Sequence, residues 1–297
     1  MRWLALLVTL LALPAAAVES RFYYSGDGVL ALRNAHFAEV LSVRYRDADG
    51  HYDAAALARI EHFFRSRTDG KQGAVSLRLI ELLDYVEDHY RPKHMTLVSG
   101  YRSPELNQAL RDGGRRVAQA SMHTEGMAAD VQPAGLNLRR LWNTLRAQQI
   151  GGVGLYQGES FIHIDTGRPR FWEAATSGVD QNPAKENARL FARTDFDRYA
   201  TLDGAVIRLH SVTALPIRIQ RQAHLGEQTI ELSPRDAGVL GDGDCWLINT
   251  PADRYEFVVR TPLAPSAARQ PIRLMTCEPR IGDTPAEVLT NSVTQLR

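Results

Sequence analysis

Two segments, Ser121-Met-His-Thr-Glu-Gly-Met-Ala-Ala-Asp130 and Phe161-Ile-His-Ile-Asp-Thr-Gly167, constrain the fold of this chain more than any other stretch. Together they carry His123, Asp130 and His163, two imidazoles and one carboxylate, a ligand set that suits Zn²⁺ and leaves a fourth tetrahedral position for water. If these side chains meet, the strands that carry them must be close neighbours. Structural zinc sites are normally closed by four protein ligands and lean on cysteine, whereas Cys245 and Cys277 lie far downstream. The set therefore reads as catalytic.

At the amino terminus, Met1-Arg2 precedes an apolar run from Trp3 to Leu13, then Pro14 and Ala15-Ala16-Ala17. A short basic start, a hydrophobic centre and a small-residue cleavage site in that order read as a secretory signal over residues 1–17, which implies a periplasmic or otherwise exported protein. The run falls short of the roughly 20 apolar residues that span a bilayer, so no membrane span is expected after cleavage. In an oxidising compartment the two cysteines are expected to pair, closing a loop of about 30 residues worth about 3 kcal/mol in the chain-entropy model. Two separate buried thiols are the competing reading.

With 35 basic against 34 acidic side chains, bulk electrostatics argue against a nucleic-acid partner and favour a small or locally charged substrate. The 297 residues exceed what one core usually fills, and the texture changes near residue 200. We therefore expect a first domain over 18–175, a linker over 176–200 and a β-rich domain over 201–297.

Along the first domain, alternation through Val40 to Tyr45 predicts a hairpin. Helices are expected from Ala54, capped by Asp53, and from Leu77, capped by Ser76, with Asp84 and Glu87 facing outward. Met95 to Val98 reads as a buried strand that turns at Ser99-Gly100-Tyr101-Arg102 into a helix with Ser103 as cap and Pro104 at its first position. Met127 to Val131 predicts a strand ending near Asp130. A helix capped by Asn137 follows, then a hairpin of Val153 to Tyr156 with Phe161 to Asp165. Glu186 to Arg193 reads as a short helix. Beyond it, β-type runs at spacings of about ten residues suggest a small sandwich or barrel.

A Zn²⁺ ion lowers the pKa of a coordinated water to about 7 and polarises the carbonyl under attack, so hydrolysis further needs a general base and a donor for the oxyanion. Residues two apart on a strand face one side, which places Asp165 beside His163 and makes Asp165 the expected base. The competing reading is that Asp165 only orients His163. Arg102, at its strand-to-helix corner, offers a fork to a carboxylate or oxyanion. Ser121 and Tyr101 are further candidates for substrate hydrogen bonds.

Ser99-Gly100-Tyr101-Arg102-Ser103, the Ser-x-His-x-x-Gly-x-Ala-x-Asp of Ser121 to Asp130, and Gly152-Val153-Gly154-x-Tyr156 with Phe161 to Gly167 resemble the family of murein endopeptidase K over roughly residues 25 to 172. That family belongs with the zinc D-alanyl-D-alanine carboxypeptidases, lysostaphin and the hedgehog domain. The resemblance implies that His123, Asp130 and His163 bind Zn²⁺ and that Arg102 and Ser121 contact substrate. It also implies an α+β fold, with helices flanking a small antiparallel sheet that carries the site. The region from about residue 201 shares no such resemblance, and its β-type runs are what predict a small all-β C-terminal domain. Many carboxypeptidase relatives keep an acidic base three residues before the last histidine. Here that position is Ser160, with Glu159 one step further, so Glu159 is the rival to Asp165.

The expected function is an exported zinc metallopeptidase that hydrolyses the peptide cross-links of peptidoglycan and recognises its peptide stems, as an endopeptidase or a D,D-carboxypeptidase. The alternative is a non-catalytic zinc-containing protein that binds cell wall or a partner.

Overall fold

The computed structural model describes residues 21–114, 121–167, 169–174, 189–211, 217–235, 240–248, 254–260, 266–277, 280–281, 284–285, 287–289 and 292–295. The signal reading at 1–17 lies outside them.

The first region is α+β. Its strands are β1 (Val29–Asn34), β2 (Val40–Arg44), β3 (Met95–Ser99), β4 (Ala128–Pro133), β5 (Gly152–Tyr156), β6 (Phe161–Asp165) and β7 (Arg170–Glu173). They form one seven-stranded sheet in the order β2-β1-β3-β4-β6-β5-β7. The expected small antiparallel sheet is corrected to a larger mixed one, because β1 pairs with β3 and β5 with β7 in parallel. Parallel neighbours need a crossover, and helices supply the first of them.

Those helices are α1 (Ala54–Phe63), α2 (Leu77–Tyr90), α3 (Pro104–Asp112) and α4 (Leu138–Gln148). Three start as their sequences predict. The Asp53 carboxylate accepts from the amides of Ala55 and Ala56, the Ser103 hydroxyl from that of Leu106, and the Asn137 side chain from that of Arg140. Ser76 occupies the fourth cap position without a side-chain bond. Leu79, Ile80, Leu82, Leu83 and Val86 of α2 join Leu30, Leu32, Leu97, Val131, Val153 and Ile164 of the sheet in one core.

Asp84 was expected to face outward, yet it is fully buried. It accepts hydrogen bonds from the Tyr45 hydroxyl at 2.6 Å and the Gly28 amide at 2.9 Å, and burial pushes its pKa up to about 7. A helix covered on one face by the sheet and on another by residues 25–28 has little free surface for it.

The second region contains β8 (Arg189–Thr194), β9 (Arg198–Tyr199), β10 (Val206–Ser211), β11 (Ile217–Leu225), β12 (Gln228–Pro234), β13 (Leu240–Asp242), β14 (Cys245–Ile248), β15 (Arg254–Val259) and β16 (Ser266–Thr276), with further short strands beyond. The run β8-β10-β15-β12-β11-β16 lies inside one larger sheet. Where a helix was expected over Glu186 to Arg193, residues 189–194 form β8, whose Leu190 and Ala192 are buried in a second core with Ile207, Leu209 and Phe257. Alternation at Leu190 and Ala192 suits a strand with one buried face. Cys245 and Cys277 are disulfide-bonded, with their Cα atoms 6.5 Å apart. Among the described residues no helix is long and apolar enough to cross a membrane.

Asp197 joins the two regions. Its carboxylate pairs with Arg78 of α2 at 2.7 Å and accepts from the Tyr23 amide at 3.2 Å, while its own amide donates to the Arg21 carbonyl. Both members of the ion pair are nearly inaccessible, with side-chain exposures of 11% and 7%. Removing one partner strands the other charge away from water, so Asp197→Ala is expected to destabilise the protein by about 3–5 kcal/mol, read as a lowered denaturant midpoint. A loss under about 1 kcal/mol would mean that this junction contributes no more than an exposed pair.

Candidate metal centre

The register of the sheet builds the site. Asp130 on β4 pairs across with His163 on β6, which pairs with Gly154 on β5, which pairs with Trp172 on β7. One row further along, Ala128, Asp165, Gly152 and Arg170 follow the same path. Side chains at positions two apart along a strand share a face, so both rows look the same way. Glycine in the β5 places is required by space. A Cβ on Gly154 would lie 2.5 Å from the Trp172 indole, and one on Gly152 would lie 2.1 Å from the Asp165 carboxylate. With neither present, β7 reaches across β5, bringing Trp172 to 5.1 Å from the His163 ring and Arg170 into an ion pair with Asp165 at 2.8 Å.

His123 comes from the turn that precedes β4. The Ser121 hydroxyl accepts from the His123 amide at 3.3 Å, and the Thr124 hydroxyl donates to the Ser121 carbonyl at 2.6 Å. Its Nδ1 lies 2.8 Å from the Gly100 carbonyl. A carbonyl only accepts, so Nδ1 carries the hydrogen and Nε2 presents its lone pair. His163 is held the opposite way. Its Nε2 lies 3.0 Å from Asp165 Oδ2, and the Asp165 carboxyl, buried yet held well below the ordinary carboxylate range by Arg170 and His163, is the acceptor. Nδ1 of His163 is left to face inward.

His123 Nε2, His163 Nδ1 and Asp130 Oδ1 therefore converge. They stand 3.2 Å apart between the imidazoles, 2.8 Å from His163 to Asp130 and 3.4 Å from His123 to Asp130. Donors about 2.0–2.1 Å from a tetrahedral zinc lie about 3.3 Å from one another. A proton shared between His163 Nδ1 and Asp130 Oδ1, or a metal ion among all three groups, relieves the repulsion of lone pairs aimed at one point, so the residues fit a bound metal ion, and these three form a group able to hold one. All three are buried. Burial, helped by Arg102, pushes His123 down to about 4, which keeps it neutral and ready to ligate. Burial opposes ionisation of Asp130, but both histidines and Arg102 outweigh it and hold the carboxyl well below its usual range.

Arg102 touches the centre through Asp130, with Nη2 2.7 Å from Oδ2, and its Nε donates to the Ser99 hydroxyl at 3.0 Å. Tyr101 lies to one side, its ring over Gly73. Asp165 has a different place from the one expected of a base. It is fully buried behind His163, and its two oxygens accept from His163, Arg170 and the amides of Gly152 and Gly167. Strand parity did set it beside His163, but the imidazole stands between it and Asp130. Glu159 is exposed in the β5–β6 turn and contributes to the charge around Tyr156, whose hydroxyl accepts from Trp172 Nε1 at 3.2 Å.

Arg170 and Trp172 were not anticipated. The signal was present in Gly152-x-Gly154, since bare positions on a strand beside the His163 strand imply that something else crosses it.

An α+β unit that gathers two histidines and an aspartate on one sheet face, with each imidazole oriented by a further acceptor, has the architecture of a metallopeptidase. The family described as peptidoglycan L,D-endopeptidase MepK matches residues 25–172. Over 145 residues the chain is 35% identical to peptidoglycan L,D-endopeptidase MepK of Escherichia coli (strain K12), covering 48% of this chain and 79% of that one. It is 29% identical over 147 residues to the probable peptidoglycan L,D-endopeptidase MepK of Haemophilus influenzae, covering 49% and 78%. This chain belongs to the MepK family. No solved structure matches it.

Proposed function

We propose that this protein is an exported zinc peptidase that hydrolyses peptide cross-links in peptidoglycan, at a bond between an L- and a D-configured centre as the relatives' names describe. The observation that carries the reading is the convergence of His123 Nε2, His163 Nδ1 and Asp130 Oδ1 within 3.4 Å of one another, in a chain of this family. Zn²⁺ held there would supply the Lewis-acid chemistry that peptide hydrolysis needs. The chain's own residues do the rest. Gly100 and Asp165 hold the two imidazoles in the tautomers that ligate, and Arg170 keeps Asp165 ionised. Arg102 balances the charge of Asp130 and presents its remaining N–H groups beside the centre, where they can meet a developing oxyanion. For the general base the two candidates are Asp165, whose oxygens are already engaged by His163, Arg170 and two amides, and Glu159, exposed in the β5–β6 turn. The Cys245–Cys277 disulfide supports an oxidising compartment, in keeping with the signal sequence.

Incubation of the full chain with purified muropeptides is the direct test. New peptide products are expected from the zinc-loaded protein, none in the presence of a chelator, and their return on adding zinc. A zinc-loaded sample that releases no products would favour the binding-protein alternative.

A further inference from the structure

Beside the metal centre a concavity opens between the β3–α3 corner and the loops after β1 and α1, lined by His36, Arg65, Arg67, Ser99, Gly100 and Tyr101. Its wall is continuous with the centre. Ser99 holds Arg102, which holds Asp130, and the Gly100 carbonyl holds His123. A ligand reacting at the centre therefore has this concavity as an adjoining place for a neighbouring group.

The charges lining it differ in how they are balanced. Arg65 is neutralised by a two-point pair with Glu39, at 3.0 and 2.5 Å. Arg67 is exposed, and its polar contact is His36 Nε2 at 3.5 Å. That nitrogen lies 2.9 Å from the Val98 carbonyl and so carries its hydrogen there, which leaves it no lone pair for Arg67. The nearby Asp69 carboxylate is engaged by the Ser103 hydroxyl and the Lys71 amide. Among the described residues no carboxylate pairs with Arg67.

A guanidinium with free N–H groups at the edge of a concavity is suited to bind a carboxylate by a two-point contact. We propose that Arg67 is a specificity-determining residue that binds a free carboxylate of the peptide stem, one position away from the bond cut at the metal centre. This inference rests on the peptidoglycan reading above, whose stems carry free carboxylates on their diamino-diacid and terminal residues.

The test compares two synthetic cross-linked stem peptides, identical except that one carries the free carboxylate and the other its carboxamide, as substrates for the wild-type protein and for Arg67→Gln. On the free acid, Arg67→Gln is expected to raise KM about 10-fold with kcat changed little, because the substrate loses a charge-assisted two-point contact that is made equally before and during reaction. On the carboxamide the wild type loses that advantage, and the substitution adds no further loss. Arg67→Lys should fall between, keeping charge but not the fork. Equal losses on acid and carboxamide, or no loss on either, would overturn the assignment while leaving the peptidase reading standing. Failure of the zinc-loaded wild type to cleave either peptide would overturn both. Zinc content and thermal stability of Arg67→Gln should match the wild type, since the side chain is exposed and touches no ligand.

Discussion

Replacing His163 by alanine is expected to abolish both metal retention and cleavage. The substitution removes one of three protein donors, and the imidazole that stands between Asp165 and Asp130 goes with it, so Asp130 keeps Arg102 but loses a hydrogen bond that aims its other oxygen at the centre. The wild-type protein should carry close to one zinc per chain by atomic spectroscopy, and His163→Ala should carry almost none at the same free zinc concentration. His123→Ala should behave alike, because its Nε2 is an equal corner of the same triangle. Activity should fall well beyond the about 10-fold to 100-fold loss that follows when only a positioning residue is changed. Full zinc occupancy in both variants would show that the ligand set is wrong.

Glu159→Gln and Asp165→Asn should fail in different ways. If Glu159 is the general base, its amide keeps the size of the side chain but cannot accept the proton, so kcat should drop by about 10² to 10⁴ with zinc fully retained. Asp165→Asn acts on the metal instead. Oδ2 accepts from His163 Nε2 and Arg170 Nη2, while Oδ1 accepts from Arg170 Nη1 and the amides of Gly152 and Gly167. An amide therefore turns an NH₂ group toward donors on one side or the other, removes the charge that pairs with Arg170 and loosens the partner that orients the imidazole. Zinc affinity should then weaken about 10-fold to 100-fold, and excess zinc should restore much of the turnover. Titration of activity against free zinc separates the cases. Should Asp165→Asn keep its zinc and lose turnover while Glu159→Gln stays active, Asp165 is the base after all, and its bonds to Arg170 and His163 must rearrange during reaction.

How far the site was legible depends on which kind of information each residue carries. His123, Asp130 and His163 stand out because a metal restricts its ligands to a few residue types, and because the surrounding motifs resemble a known family. Helix starts at Asp53, Ser103 and Asn137 were equally legible, since a cap is a local interaction between a side chain and amides two or three residues on. Asp84 was not. Helical spacing places it on one side of α2, but only the packing of residues 25–28 against that side makes the position buried.

The sequence by itself determined the candidate metal ligands, the family, the pairing of β5 with β6 and the β-rich character of the second region, because each rests on local pattern or on chemistry that tolerates few side chains. Tertiary structure decided the rest. That the sheet is mixed depends on β1 meeting β3 and β5 meeting β7, which are contacts between strands joined by long crossovers rather than by turns. The part Asp165 plays depends on which imidazole nitrogen of His163 faces inward. Strand alternation puts Asp165 and His163 on one face, but alternation says nothing about the rotation of a ring. That rotation follows from Asp130 across the β4–β6 register, from the two glycines of β5, and from Arg170 reaching over them to the same carboxylate.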